Sequence, residues 1–231
     1  MKYIVIIVFC IISSISFAQT ITGVYSIYPL TASDGEHEIS EEGKKPMTYS
    51  YLFNNNCSLQ RLISNEKSVE TIITDTISFG KTYSYTRKSS RPSDVFRYKD
   101  FDKNIYRMEY TMDDKKTAIA DKLPKYEWKF YEVTKIVAGY ICKKATTEDI
   151  KMGRKQNIVA WYTEDINISD GPSDFNGLPG LILELEIDDL TRITFEEIEF
   201  QPSINTPIVE PIKTSTALTV KEFEKINFGI E

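Results

Sequence analysis

Leu181-Ile182-Leu183-Glu184-Leu185-Glu186-Ile187 runs into Asp188-Asp189-Leu190-Thr191 and returns through Ile193, Phe195, Ile198 and Phe200. The first seven residues decide the fold. Leu181, Leu183, Leu185 and Ile187 share one parity and Glu184 and Glu186 the other, the period of two expected of a half-buried β-strand. The Asp188-Asp189-Leu190-Thr191 quartet that follows turns the chain. On the return, Ile193 and Phe195 keep one parity while Ile198 and Phe200 take the other. That phase switch predicts a bulge at Glu196-Glu197, a device that bends a sheet. A bent sheet with one apolar face must be closed, stacked or covered.

The same alternation extends outward. Residues 20–28, 48–53 and 58–64 read as strands, the last two joined by an Asn54-Asn55-Asn56 turn. Residues 82–87, 95–99, 105–112, 128–137, 140–147 and 158–163 continue the pattern with Tyr, Phe, Val, Ile and Thr, the side chains that pack on a pleated surface. Turn signals about every 8–12 residues suggest a meander. One helix stands out near the C-terminus. Thr219 and Glu222 form a capping box, Val220, Phe223 and Ile226 a stripe, and Gly229 a stop. Pro202, Pro207 and Pro211 mark an extended connector before it. The expected fold is mainly β: a curved antiparallel sheet, open and barrel-like, with a short C-terminal helix.

Composition bounds function. The chain has 231 residues, is 41% hydrophobic and 27% charged, and carries a net charge of -6, the balance of an ordinary globular domain and not of a nucleic-acid binder. One histidine excludes a multi-His metal centre, and three cysteines exclude a dense disulfide scaffold. The N-terminus reads as an export signal. Lys2 is followed by an apolar run over 3–12, and Ser16 and Ala18 place a cut before Gln19. Residues 1–18 are then removed and residues 19–231 form a single domain, with no later stretch long enough to span a bilayer as a helix. Cleavage leaves Cys57 and Cys142. In an oxidising compartment this pair is either bridged or two thiols acting as small hydrophobes.

The 169–180 loop holds Gly171-Pro172, Phe175 and Gly177-Leu178-Pro179-Gly180. Leu178-Pro179-Gly180 suits a type II turn, with Pro179 fixing φ and Gly180 taking positive φ. Phe175 and Leu178 are candidate anchors. A stiff loop on a β scaffold either presents a binding surface or sets a packed corner. Trp161 and Tyr162, neighbours on a strand, face opposite sides, one inward and one outward. Together with Phe175, Leu178 and Pro179 they are the candidate ligand or partner contacts.

Chemistry finds little support. The lone base, His37, lies among Glu36, Glu38, Glu41 and Glu42 in an acidic, glycine-flanked segment that lacks zinc or EF-hand spacing. Paired carboxylates hydrolyse glycosides without histidine, which makes Asp165, Asp170 and Asp174 the candidates; their alternative is turn capping. No phosphate loop or dinucleotide fingerprint is present. No catalytic residue, metal ligand or cofactor is assigned.

Gly177-Leu178-Pro179-Gly180-Leu181-Ile182 resembles the motif of the GLPGLI family of exported bacterial proteins. Gly139-Tyr140, Cys142-Lys143-Lys144-Ala145, Gly153-Arg154, Ala160-Trp161-Tyr162-Thr163, Gly171-Pro172 and Phe175 extend the resemblance over about residues 139–187. Cys57 stands outside it. The resemblance implies export and work in the cell envelope, and it brings no activity with it. The leading expectation is a non-enzymatic envelope accessory that binds a protein or an apolar ligand. A periplasmic carrier with a half-barrel cavity and a carboxylate-based hydrolase are the alternatives.

Overall fold

A computed structural model describes residues 20–30, 43–64, 68–77, 81–151, 153–202, 207–211 and 216–229. Among these, eleven antiparallel strands form one curved, unclosed sheet, in the order β8-β7-β6-β3-β2-β1-β13-β12-β11-β10-β9. The strands are β1 (Thr20–Pro29), β2 (Met47–Asn54), β3 (Cys57–Leu62), β6 (Asp94–Asp100), β7 (Ile105–Met112), β8 (Lys115–Asp121), β9 (Lys129–Val137), β10 (Tyr140–Lys151), β11 (Arg154–Thr163), β12 (Leu181–Ile187) and β13 (Thr191–Gln201). β4 (Ser68–Ile77) and β5 (Lys81–Ser90) pair as a separate hairpin. A short helix, α1 (Val220–Phe228), lies near the C-terminus. The His37 segment and the export signal lie outside the described residues.

Local chemistry accounts for the connections. The β2–β3, β7–β8 and β9–β10 hairpins each turn on two residues of positive φ: Asn55-Asn56, Asp113-Asp114 and Ala138-Gly139. Two left-handed residues match the twist of the flanking strands, and Asn and Asp tolerate that conformation. The predicted bulge is present. Val24 lies opposite Glu197 and Tyr25 opposite Phe195, leaving Glu196 as the extra residue. The hydroxyl of Tyr28 donates to that glutamate at 2.8 Å.

Alternation fails in β12. Leu181, Ile182, Leu183 and Leu185 are all buried, and Glu184 is nearly so. The strand is central and covered on both sides, and a register shift at Trp161/Tyr162 turns an extra residue into the interior. Glu184 is tolerated because Lys135 pairs with it. The core spreads across the sheet through aromatic rings. Tyr25 stacks on Tyr49 with centroids 5.1 Å apart, and Tyr51 meets Phe195 edge-on at 5.2 Å.

The two sheet edges differ. β8 is partly covered: Ala120 N–H donates to the Leu218 carbonyl at 2.8 Å, and Leu218 N–H donates to the Ala118 carbonyl at 2.9 Å. α1 follows at once, with the predicted capping box and Gly229 at φ 66°. Phe223 meets Tyr110 edge-on, but Val220 and Ile226 are exposed, so the buried stripe is narrower than expected. β9, the other edge, pairs only with β10 among the described residues and is exposed along almost its whole length.

Cys57 and Cys142 are both free thiols, so no bridge joins them. They sit on β3 and β10, six places apart in the strand order. At about 4.8 Å per strand that path is far beyond disulfide reach. Burial pushes the Cys142 thiol up to about 11, so it stays protonated and inert.

Candidate functional site

Among the described residues, the 169–180 loop is held by backbone and side-chain hydrogen bonds from several strands. It re-enters the sheet at β12 through its own backbone. Leu181 N–H donates to the Ile166 carbonyl at 3.1 Å and Ile182 N–H to the Asp170 carbonyl at 2.9 Å. Gly171 packs so closely that an added Cβ would lie 2.7 Å from the Cβ of Ile182. Gly180 lies against the Thr163 carbonyl. Its φ of 158° is far from the value near 80° of a type II turn, so close approach, not turn type, demands glycine here.

Three polar side chains from other strands hold the loop down. Gln60 of β3 is fully buried. Its Nε2 donates to the carbonyls of Gly171 and Ser173 at 3.1 and 3.2 Å. Its Oε1 accepts from the Tyr25 hydroxyl at 2.7 Å and from Ser173 N–H at 2.8 Å. Lys99 of β6 donates from Nζ to the Gly171 carbonyl at 2.8 Å and the Phe175 carbonyl at 3.1 Å. The same ammonium pairs with Asp170, and neither side chain has any exposed surface. Tyr51 of β2 completes the group, its hydroxyl donating to Asp170 Oδ2 at 2.8 Å. Burial lowers the Lys99 ammonium from its ordinary value while the Asp170 charge and hydrogen bond oppose the shift. Burial and Asp170 together raise the Tyr51 phenol well above its usual range.

A second set fixes the far side. Lys151 of β10 donates to Asp174 Oδ2 at 2.8 Å, and the Tyr126 hydroxyl reaches the same oxygen at 3.1 Å. Tyr126 stacks on Phe175 at 5.1 Å, and Trp128 Nε1 donates to the Asn176 carbonyl at 3.0 Å. Burial alone would raise the Asp174 carboxyl. Lys151, by charge and hydrogen bond, and then Arg97 override it and hold the group at about 2. A carboxyl depressed from 3.8 to about 2 contributes about 2 kcal/mol of stability above pH 4. That contribution is lost as pH falls from about 4 towards about 2. In acid titrations of stability, Asp174→Asn is therefore expected to flatten the slope over this window; an unchanged slope would show the carboxyl free.

These placements settle where the sequence candidates lie. Phe175 and Leu178 are buried beneath the loop, and Tyr162 is buried with Phe130 edge-on at 6.2 Å. Trp161 is also buried, with Lys135 Nζ 4.4 Å from its ring centroid. Of the five proposed contacts, only Pro179 is exposed. The correction has one cause: both faces of β11 are covered here, so the expected outward partner of the Trp161-Tyr162 pair does not exist. The three aspartates separate as well. Asp165 is exposed, Asp170 is sealed against Lys99, and Asp174 is tied to Lys151 and Tyr126. A glycosidase pair must face a substrate together, and these do not.

Surface open to a ligand lies elsewhere. A groove of about 610 Å³ runs past Trp128, Tyr131, Thr146 and Glu148 at the β9–β10 end of the sheet. A cleft of about 310 Å³ lies between α1 and the loop, lined by Tyr106, Asp121, Asp149, Lys151, Asp174 and Glu224. Beside the first, Phe130, Tyr131, Val133, Ile136 and Ile141 are exposed in succession, Ile136 at 74%.

Fold and site together define a mainly β protein built around an internally clamped motif loop. A family model described as "Protein of unknown function (Porph_ging)" matches residues 146–184, from β10 through the loop into β12. No curated protein matches the chain. Two solved structures of PNGF-II, in C2 and P21 space groups, each share 18% identity at a TM-score of 0.50. The match covers 81% of this chain and 29% of PNGF-II, so the chain spans less than a third of that protein. The likeness is one of fold.

Proposed function

We propose that this chain is an exported, non-catalytic accessory of the cell envelope that binds another protein along the free edge of its sheet. The GLPGLI-like motif and the apolar N-terminal run support the family and compartment; in this reading residues 1–18 are the export signal. One observation carries the binding role. Among the described residues β9 pairs on one side only, with β10, and it exposes Phe130, Tyr131, Val133 and Ile136, with Ile141 beside them. Large exposed apolar side chains gathered on an edge strand mark an interaction site, and such a strand is a template for strand addition. The recurrence of a similar fold as 29% of a longer chain supports a role as a module beside other polypeptide. A photo-crosslinking residue at Ile136 is expected to trap a protein in intact cells, whereas one at Pro179 is not. Adducts at Pro179 alone, or at neither position, would overturn the reading.

A further inference from the structure

We propose that Arg97 anchors a ligand site for a small monocarboxylate, reached from the cleft between α1 and the 169–180 loop. The site is separate from the β9 edge and stands or falls without it.

Arg97 is a half-buried residue of β6 and shares the face of Val95 and Lys99, both buried. Its Nε and Nη1 have no contact with solvent and no hydrogen-bond partner. Folded proteins leave few buried donors in that state, and a bound ion is one of the few explanations for them. The neighbours that could serve are committed elsewhere. Gln60, opposite Arg97 on β3, spends its amide on Tyr25, Ser173 and the Gly171 carbonyl. Met108, opposite it on β7, offers a thioether that accepts from the Tyr106 hydroxyl at 3.6 Å. Asp170 pairs with Lys99 and Asp174 with Lys151, and among the described residues no carboxylate pairs with Arg97. Burial holds the Tyr25 and Tyr106 phenols well above their ordinary value, so neither supplies a negative charge at neutral pH.

Shape and charge then select the occupant. The Arg97 Cζ lies over the Tyr49 ring, 5.0 Å from its centroid. The ring covers one face of the guanidinium and leaves the in-plane N–H groups, whose planar array suits the two oxygens of a carboxylate. The route in is set by Tyr106 and Asp174. Both feel the Arg97 charge, and both line the cleft of about 310 Å³. Asp121, Asp149 and Glu224 line the same cleft. Arg97 compensates one negative charge on a ligand there, whereas a second would face these carboxylates without a partner. Like charges brought together at a binding surface suppress the wrong ligand, so a phosphate or a dicarboxylate is selected against.

The test is thermal unfolding of the full chain at neutral pH and constant ionic strength, with sodium acetate replacing sodium chloride. A ligand that binds only the folded chain raises Tm with its concentration, and a rise of about 5 °C or more is expected at a hundredfold excess over Kd. Sodium succinate and sodium phosphate are expected to need about tenfold more for the same rise. Arg97→Met removes the buried charge and keeps most of the stem's volume. It is expected to melt close to the native chain in chloride and to lose the response to acetate. Should that variant not fold, Arg97→Lys takes its place. It keeps the charge and loses the planar donors, and the acetate response is expected to move to about tenfold higher concentration. A native chain that responds alike to acetate and chloride, or a response that survives unchanged in the variant, overturns the site. A stronger response to phosphate than to acetate overturns the carboxylate assignment.

Discussion

Replacing Lys99 with Met is expected to lower the unfolding free energy by about 3–5 kcal/mol, the usual result of removing one partner from a buried ion pair. The reason lies in what the substitution leaves behind. Asp170 would retain the Tyr51 hydroxyl as a donor but lose its counter-charge, in a place with no exposed surface. The Phe175 carbonyl would lose its side-chain donor as well, and the Gly171 carbonyl would keep only Gln60. Buried acceptors left unpaired are more costly than the net value of the bonds that satisfied them. Small domains are stable by only about 5–15 kcal/mol, so this single change removes a large share. Urea denaturation checks it through a lowered midpoint at unchanged slope. Removing both charges, Lys99→Met with Asp170→Leu, is expected to recover much of the loss, because two matched apolar groups need no compensation. A single variant within about 1 kcal/mol of the native chain would show that water reaches Asp170 and that the clamp is loose.

That clamp was the part of the site least legible in the sequence. The hairpin 181–200, its bulge, the asparagine turn and the capping box are local features. Each is written in residues a few places apart, and each is found where the pattern places it. Lys99, Gln60 and Tyr51 belong to three strands, up to 119 residues from the groups they bind. In Asp94-Val95-Phe96-Arg97-Tyr98-Lys99, alternation sets Val95, Arg97 and Lys99 on one face, which reads as a polar edge and not as a core. Nothing in period or propensity reveals that the loop brings Asp170 to meet that lysine. The two missed strands have separate causes. β8, Lys-Lys-Thr-Ala-Ile-Ala-Asp, has a single β-branched apolar residue and gains its place by pairing with β7. β4 is polar and acidic at intervals that blur its period. Phe175 and Leu178 were legible as anchors of the loop, but the direction of the Trp161-Tyr162 pair was not. Burial on both faces of β11 and β12 turned Trp161, Tyr162, Phe175 and Leu178 inward together.

Gly180→Ala is the second large effect, and it tests why the motif ends its turn in glycine. An ideal Cβ at this position would sit 2.1 Å from the Thr163 carbonyl oxygen and 2.7 Å from its carbonyl carbon. Neither atom is free to retreat. Thr163 is the last residue of β11 and pairs in register with Leu181, the residue after the glycine. Relieving the clash therefore means parting β11 from β12 at the point where the clamped loop joins them. Overpacking in a well-packed core costs about 1–3 kcal/mol and sometimes more; here the obstacle is backbone on a paired strand, so about 3 kcal/mol or more is expected. Gly139→Ala gives the comparison. Its φ of 84° is as unsuited to alanine, but no atom lies within 4 Å of the new Cβ, so only the local strain of about 1–2 kcal/mol remains. Thermal unfolding of the two variants side by side separates space from conformation. If both fall by the same amount, φ alone selects glycine at 180. If Gly180→Ala falls much further, the Thr163 carbonyl is what holds the motif to its sequence.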